Sequence, residues 1–184
     1  MAVLTDTRTD ELMEQLLQIE GKAEIVDGRI KQQMPTGEEP GLSALQIVVS
    51  LFLYAQRIGR GRAVGDNVIF SVDLPNRKSF SPDAAYMTQE RTGSMRAING
   101  APLFAVEVRS ENYYGPTAER AIVAKIADYF AAGTRAVWDV DLLSENVVTL
   151  HRPQTEPVVF RRGETANAGE ALADWTMAVD EIFA

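Results

Sequence analysis

The sequence predicts a mixed α/β or α+β layer, and three observations lead there. Short strand-like runs follow one another from residue 68 onward, at 68–72, 84–87, 103–108, 136–140, 147–150 and 158–160. One clear helical stretch, 117–132, separates two of the most apolar of them. A long apolar segment, 42–58, precedes them all. Strands interrupted by a single helix pack as a sheet with helices laid against it.

The first segment, 9–19, places Leu12, Met13, Leu16, Leu17 and Ile19 at helical spacing, with Thr9 as its N-cap. Two short runs then flank Asp27-Gly28, a pair that predicts a tight hairpin. Thr36 and Glu39 stand at capping-box spacing before the next helix. That helix, 42–58, is apolar on nearly every face through Leu45, Ile47, Val48, Val49, Leu51, Phe52, Leu53 and Tyr54. Such a helix is buried, or shared with a second copy of the chain, and a homodimer is the expectation. The glycine- and arginine-rich turn at 58–62 ends it. Gly133 is the predicted C-cap of the 117–132 helix. The tail, 171–184, reads as a strand or a short helical turn anchored by Trp175 and Phe183.

The chain has 184 residues, 46% apolar and 24% charged, a composition typical of a soluble globular protein. This length suits one domain, 1–184, with residues 1–40 as a helix-and-hairpin elaboration. The absence of cysteine excludes disulfides, thiolate zinc sites and cysteine nucleophiles. The only histidine, His151, excludes a histidine-cluster metal site, and its place after a strand reads as a surface or turn position. No run reaches the ~18 uncharged apolar residues of a membrane span, and the acidic N-terminus does not look like a signal peptide. A cytoplasmic protein without a membrane partner is expected.

The net charge of −8 is uneven. Residues 1–40 carry nine acids and four bases, residues 141–184 eight acids and three bases. The stretch 41–140 has nine acids and eleven bases. An acidic whole argues against strong non-specific nucleic-acid binding, whereas the mildly basic centre leaves room for a local phosphate site.

Three pieces bear chemistry. Ser81-Pro82-Asp83 leads into the run 84–87, so an acid sits at a strand entrance. In the run 104–109, alternation puts Ala105, Glu107 and Arg109 on one face and Phe104, Val106 and Val108 on the other. A glutamate within so apolar a strand costs free energy unless it is paired or binds a cation. Lys125 falls inside the apolar stripe Ala118, Ile122, Ile126, Tyr129 and Phe130, so it needs an anionic partner, and Glu107 is available. Each piece also has a plain structural reading: a turn, an edge ion pair, a snorkelling lysine. Tyr113 and Tyr114 read as a loop pair packing on the sheet, and Arg57, Arg60 and Arg62 as a solvated helix end.

Taken together, the order of these pieces resembles the PD-(D/E)XK nuclease superfamily, and within it the Uma-two type of restriction-endonuclease-like proteins. The matching residues are Asp27-Gly28, Pro82-Asp83, Val106-Glu107-Val108-Arg109-Ser110, Lys125 with Tyr129 and Gly133, and Trp138-Asp139-Val140-Asp141. The similarity spans roughly residues 20–184. It implies a restriction-endonuclease-like core, a central mixed sheet flanked by helices. It implies DNA as substrate and Mg²⁺ (or Mn²⁺) as cofactor. Asp83 and Glu107 would be the metal ligands and Lys125 the third catalytic residue, with Glu24 completing the acidic cluster. The chain departs from the pattern in places. Arg109 stands where the superfamily's usual lysine would be. Ala121 replaces an acid often found four residues before the helix lysine. Ser43 lies near the position of a histidine common at the start of the long helix.

The chemistry follows from the residue types. Phosphodiester hydrolysis needs an activated water and charge stabilisation on the phosphoryl oxygens. Carboxylates are hard ligands suited to Mg²⁺. A desolvated Lys125 is a better base for the attacking water. Arg109, always charged, would clamp a phosphate oxygen. The expected activity is Mg²⁺-dependent endonuclease cleavage of DNA. The alternative is an inactive nuclease fold serving as a binding or regulatory module.

Overall fold

The computed structural model describes residues 7–183. It opens with α1 (Thr7–Leu16) and the hairpin β1 (Ala23–Val26) and β2 (Arg29–Gln32). Asp27 and Gly28 both take positive φ, 53° and 67°, as a two-residue hairpin turn requires. Thr9 lies inside α1 rather than capping it. Next comes α2 (Glu38–Ile58), whose N-cap is Gly37, without any side-chain cap bond. The expected capping box is thus not formed, because Thr36 falls outside the helix. Glu38 and Glu39 in the first turn favour the helix dipole instead.

The central sheet has six strands in the order β11-β10-β9-β8-β6-β3. In chain order these are β3 (Arg62–Val64), β6 (Ala84–Met87), β8 (Phe104–Val108), β9 (Ala136–Asp141), β10 (Val147–His151) and β11 (Val158–Phe160). Only β8 and β9 run parallel, and α3 (Pro116–Ala131) makes the crossover between them. Pro116 stands at its start and Gly133, at φ 102°, follows its C-cap Ala132. Short strands complete the chain. β4 (Phe70–Ser71), β5 (Ser79–Phe80) and β7 (Ile98–Asn99) form a small sheet. β12 (Thr165–Asn167) pairs with β13 (Thr176–Ala178), which runs into α4 (Val179–Ile182).

The alternation of β8 divides the core. Phe104, Val106 and Val108, together with Trp138 and Val140, share a core layer with Ile47 and Leu51 of α2. Trp175 closes this layer, its ring 4.8 Å from Trp138 and its Nε1 donating to Ser50 Oγ at 3.1 Å. Phe183 is the weaker anchor, packed at the margin. Ala105 faces the other way, toward Ile122, Ile126 and Tyr129 of α3.

The first hairpin packs with α1 in a small cluster of its own, built on Leu16, Ala23 and Ile25. Lys78 N–H donates to Ile25 O at 3.0 Å, and Ile25 N–H donates to Ser79 Oγ at 2.8 Å. It is therefore stitched into the body of the protein, and its strand β1 faces the site described below.

α2 differs from the expectation of an all-round buried helix. One face packs into the core through Ser43, Ala44, Ile47, Leu51, Tyr54 and Ala55. The opposite face exposes Leu42, Leu45, Val49, Phe52 and Leu53. By length and composition alone α2 also qualifies as a membrane span, but a third of that window is buried inside the protein. Ser43 donates its hydroxyl to Ile182 O at 2.7 Å, which ties the helix to α4.

Candidate active site

The antiparallel pairing of β6 and β8 sets Ala84 opposite Val106, so Asp83 enters beside Glu107. Asp83 is clamped on both sides of that glutamate. Its N–H donates to Val106 O at 3.0 Å, and its Oδ2 accepts the Val108 N–H at 2.6 Å. Pro82 fixes the chain at this entrance without wasting a ladder donor.

Glu107 points to the α3 side, as the alternation of the strand predicts. Two residues one helical turn apart meet it. Lys125 Nζ donates to Oε2 at 2.8 Å, and the Tyr129 hydroxyl donates to Oε1 at 2.7 Å. The Tyr129 ring stacks on Phe80 at 3.9 Å, which fixes the hydroxyl in place.

Lys125 has a second partner, Glu24 Oε1, at 2.8 Å. Glu24 is buried on β1 and fully engaged. Its Oε1 also accepts the Ser81 N–H at 2.8 Å, and its Oε2 takes Arg77 Nη1 at 2.6 Å. Arg77 in turn donates its Nε to Asp128 Oδ2 at 2.8 Å. Glu24 thus stands beside the pair Asp83 and Glu107, but both its oxygens are taken by protein cations and an amide.

The fourth charged group is Lys22. Its ammonium bonds Asp83 Oδ1 and lies 2.8 Å from Asp66 Oδ1. Tyr113, in the loop before α3, is half-buried near these charges. Burial pushes its hydroxyl up, and Lys125, Glu107, Lys22 and Glu24 act on it as well.

These charges shape one another. Burial pushes Glu107 up and neighbouring Asp83 adds to it, against the pull of Lys125. For Glu24, burial is outweighed by Lys125 and Arg77, which hold it below the usual carboxylate range. Burial would lower Lys125, but Glu107 and Glu24 outweigh it and hold the ammonium above its ordinary value. Desolvation alone favours the neutral amine, whereas its two carboxylate partners favour the ammonium.

Arg109 is also corrected. Its guanidinium is spent on a bidentate pair with Asp139, at 2.8 and 2.6 Å, and on Glu119 of α3. It ties β8, β9 and α3 together and is not free to clamp a phosphate. Tyr114 is structural too: its hydroxyl donates to Asp141 Oδ1 at 2.9 Å. His151 ends β10 as a half-buried residue rather than a turn, with its Nε2 buried and unpartnered among the described residues.

The donor chemistry fits a hard divalent cation. Asp83 and Glu107 bring carboxylates to adjoining strand ends, where protein groups hold every oxygen: Lys22 and the Val108 amide on Asp83, Lys125 and Tyr129 on Glu107, so a cation would have to displace one of these donors. Among the described residues, no group of three acids or histidines is assembled as a ready ligand set. Two protein carboxylates suit an ion such as Mg²⁺, which keeps several of its waters.

The structure brings together Asp83, Glu107 and Lys125, which sequence reasoning singled out, with Glu24 beside them. Sequence reasoning missed Lys22, Asp66 and Arg77. Each is an ordinary polar residue of a turn or strand edge, and only the fold brings it to the site.

The fold matches that of a crystal structure from Anabaena variabilis described as "a putative nuclease". The TM-score is 0.75 at 17% identity, over 94% of this chain and 97% of that one. The class is therefore a restriction-endonuclease-like fold. More narrowly, the Uma2 family model, described as "Putative restriction endonuclease", matches residues 10–180, and the chain belongs to that family. No curated protein matches it.

Proposed function

We propose that the protein is a Mg²⁺-dependent nuclease that hydrolyses phosphodiester bonds in DNA, with Asp83 and Glu107 as metal ligands and Lys125 as the third catalytic group. The observation that carries this reading is the buried Lys125–Glu107 pair at 2.8 Å, set beside an Asp83 carboxylate pinned to the Val108 amide. A buried lysine and glutamate are a costly way to stabilise a fold, so their retention at a strand end favours a chemical role. Mn²⁺ fits the same oxygen ligands.

The bound cation would neutralise charge on the phosphoryl oxygens and make water a better nucleophile. The protein's own groups do the rest. Val108 N–H aims Asp83, and Tyr129 aims Glu107. Arg77 holds Glu24, which is the second carboxylate partner of Lys125. Lys125, kept protonated, places a positive charge and a transferable proton at the rim of the carboxylate pair. It suits the stabilisation of the developing negative charge better than the removal of a proton from water.

The test is a calorimetric titration of Mg²⁺ and Mn²⁺ into wild type and Asp83→Ala, with cleavage assays on plasmid and single-stranded DNA. Wild type should bind metal and cut DNA, and the variant should do neither. Equal binding by both proteins removes Asp83 from the metal site. Metal binding without cleavage moves the reading to a regulatory module built on a nuclease fold.

We further propose that the protein acts as a homodimer, joined through the exposed apolar face of α2. Leu42, Leu45, Val49 and Phe52 follow one another at intervals of three, four and three residues, the spacing of a helix–helix seam.

A further inference from the structure

Lys22 is the odd member of the site. Its side chain is only 9% exposed, yet it is not held by one partner. It bridges two carboxylates of different character. Asp83 is nearly buried and pinned to β8, whereas Asp66 is 44% exposed on a surface turn. Burial disfavours the ammonium, but Asp83 and then Glu107 outweigh this and hold it charged.

The proposed metal would share the Asp83 carboxylate with this ammonium. Asp83 Oδ2 already accepts the Val108 amide, and Oδ1 is the oxygen that Lys22 occupies. A divalent ion on Asp83 and Glu107 would stand close to a fixed positive charge, in a setting where burial strengthens repulsion. Lys125, the other ammonium, is held between Glu107 and the buried Glu24, so Lys22, whose second partner lies at the surface, is the one that gives way. The structure supplies its alternative, since Asp66 lies within 2.8 Å of the same Nζ and reaches solvent.

We infer that Lys22 is a built-in competitor for the metal site: it neutralises Asp83 in the metal-free protein and shifts onto Asp66 when a divalent cation binds. This rests on the reading of Asp83 and Glu107 as metal ligands. It makes Lys22 a determinant of metal affinity that does not itself bind metal, and Asp66 its release partner. The site then stays charge-compensated when empty and binds a cation more weakly than the carboxylates alone would.

The experiment is Mn²⁺ titration by calorimetry, with a thermal midpoint for each protein in the absence of metal. Removing the competitor in Lys22→Met should tighten Mn²⁺ binding by about tenfold or more, the scale of one partly buried charge. Removing the release partner in Asp66→Asn should weaken it several-fold. That substitution sits on an exposed turn and leaves the core untouched. In the double variant the Asp66→Asn effect should vanish, because no lysine remains to be released. If Asp66 acts only by its negative charge, its effect persists in the double variant and the exchange is overturned. Wild-type binding with no gain in Lys22→Met overturns the competitor alone. Absence of Mn²⁺ binding in all four proteins overturns the metal reading and this inference with it. Should Lys22→Met fail to fold, Lys22→Gln serves in its place, with the same expected gain and the same overturning result.

Discussion

Lys125 Nζ on α3 meets Glu107 Oε2 on β8 at 2.8 Å, and both side chains are about 85% buried. The pair spans the crossover between the two parallel strands, so it couples the candidate chemistry to the stability of the fold. Lys125→Met keeps the length and loses the charge. Glu107 and Glu24 are then left beside each other with one cation fewer, and breaking a buried pair in this way costs roughly 3–5 kcal/mol. The thermal midpoint should fall accordingly, and Mn²⁺ should restore part of it by mass action. Metal binding should survive, while DNA cleavage drops ~10²–10³-fold, the usual share of one group that stabilises transition-state charge. Undiminished cleavage would take Lys125 out of the mechanism.

Tyr129→Phe isolates one hydrogen bond from the same cluster. The ring and its stacking on Phe80 remain, and only the donor to Glu107 Oε1 goes. A buried carboxylate oxygen loses its partner, at a cost of about 1–3 kcal/mol. Burial and Asp83 already push Glu107 up, so loss of this donor pushes it further. Chemical denaturation of wild type and variant reads the loss of stability. A variant as stable as wild type would mean that this hydroxyl contributes nothing to holding the glutamate.

The parts of the site visible in the sequence are those that break a local rule. Glu107 interrupts an apolar strand, Lys125 interrupts an apolar stripe, and Asp83 follows a proline at a strand entrance. A rule is broken at low cost only where something compensates, so each was a signal. Lys22, Asp66 and Arg77 break no rule, since a charged residue in a turn is ordinary. Their role depends on the hairpin β1–β2 folding back onto the segment 76–79, and no periodicity encodes that long-range contact. The fold shows the same division. Five of the six expected runs appear close to their places in the central sheet, whereas the run 68–72 shrinks to β4 in the small sheet and the edge strand β3 stands where a turn was expected. The two- and three-residue strands β4, β5, β7, β12 and β13 are too short to carry a period of two. Arg109 misled because its strand position was right while its partners, Asp139 and Glu119, come from β9 and α3. On α2 the sequence shows an apolar surface all round and cannot say which half the protein covers.

Gly61 tests a close approach that only the fold explains. Its φ is 72°, and a Cβ there would overlap the Tyr86 hydroxyl oxygen and the edge of its ring. That hydroxyl donates to Arg60 O at 2.6 Å, which fixes the chain as it leaves α2 for β3. Gly61→Ala therefore suffers both backbone strain and a clash. A loss above ~1 kcal/mol is expected, with a lowered thermal midpoint. Gly163 has a positive φ of 83°, but a Cβ there would meet nothing within 4 Å, so it provides the control for strain alone. Gly61→Ala should cost more than Gly163→Ala.

His151 makes a pH prediction that can be read from a single signal, since the chain has no other histidine. Burial holds its imidazole below the ordinary value of 6.5, against the pull of Asp139. Its Nε2 is buried without a partner, so the neutral ring is the form the fold accepts. The unfolded chain takes up a proton at the ordinary value, before the folded protein does. The histidine's contribution to stability is therefore present above pH 6.5 and lost as the pH falls from there through the folded value. The ring proton resonance should titrate with a midpoint below 6.5. The stability difference between wild type and His151→Gln should be flat above pH 7 and shift against wild type in the acid range. A midpoint above 6.5 would mean that Asp139, not burial, controls the ring.

The exposed face of α2 gives the last prediction. Leu45, Phe52 and Leu53 are each half exposed or more, while Ile47 and Leu51 on the opposite face are fully buried. The helix thus has two apolar faces, and the described residues cover one. Large contiguous apolar patches are rare on monomers. The seam spacing of Leu42, Leu45, Val49 and Phe52 is self-complementary, so a second copy can cover the face by a two-fold pairing of the same residues. The expected mass by light scattering at micromolar concentration is twice the chain's 20.2 kDa. The double variant Leu45→Lys, Phe52→Lys should run as a monomer. Neither side chain lies in the core, so its effect on the fold itself should stay near ~0.5 kcal/mol per site once dimer dissociation is accounted for. The variant also separates assembly from chemistry, because α2 lies across the sheet from Lys125 and Glu24. Its Mn²⁺ affinity should match that of wild type. A monomeric wild type would reject the pairing.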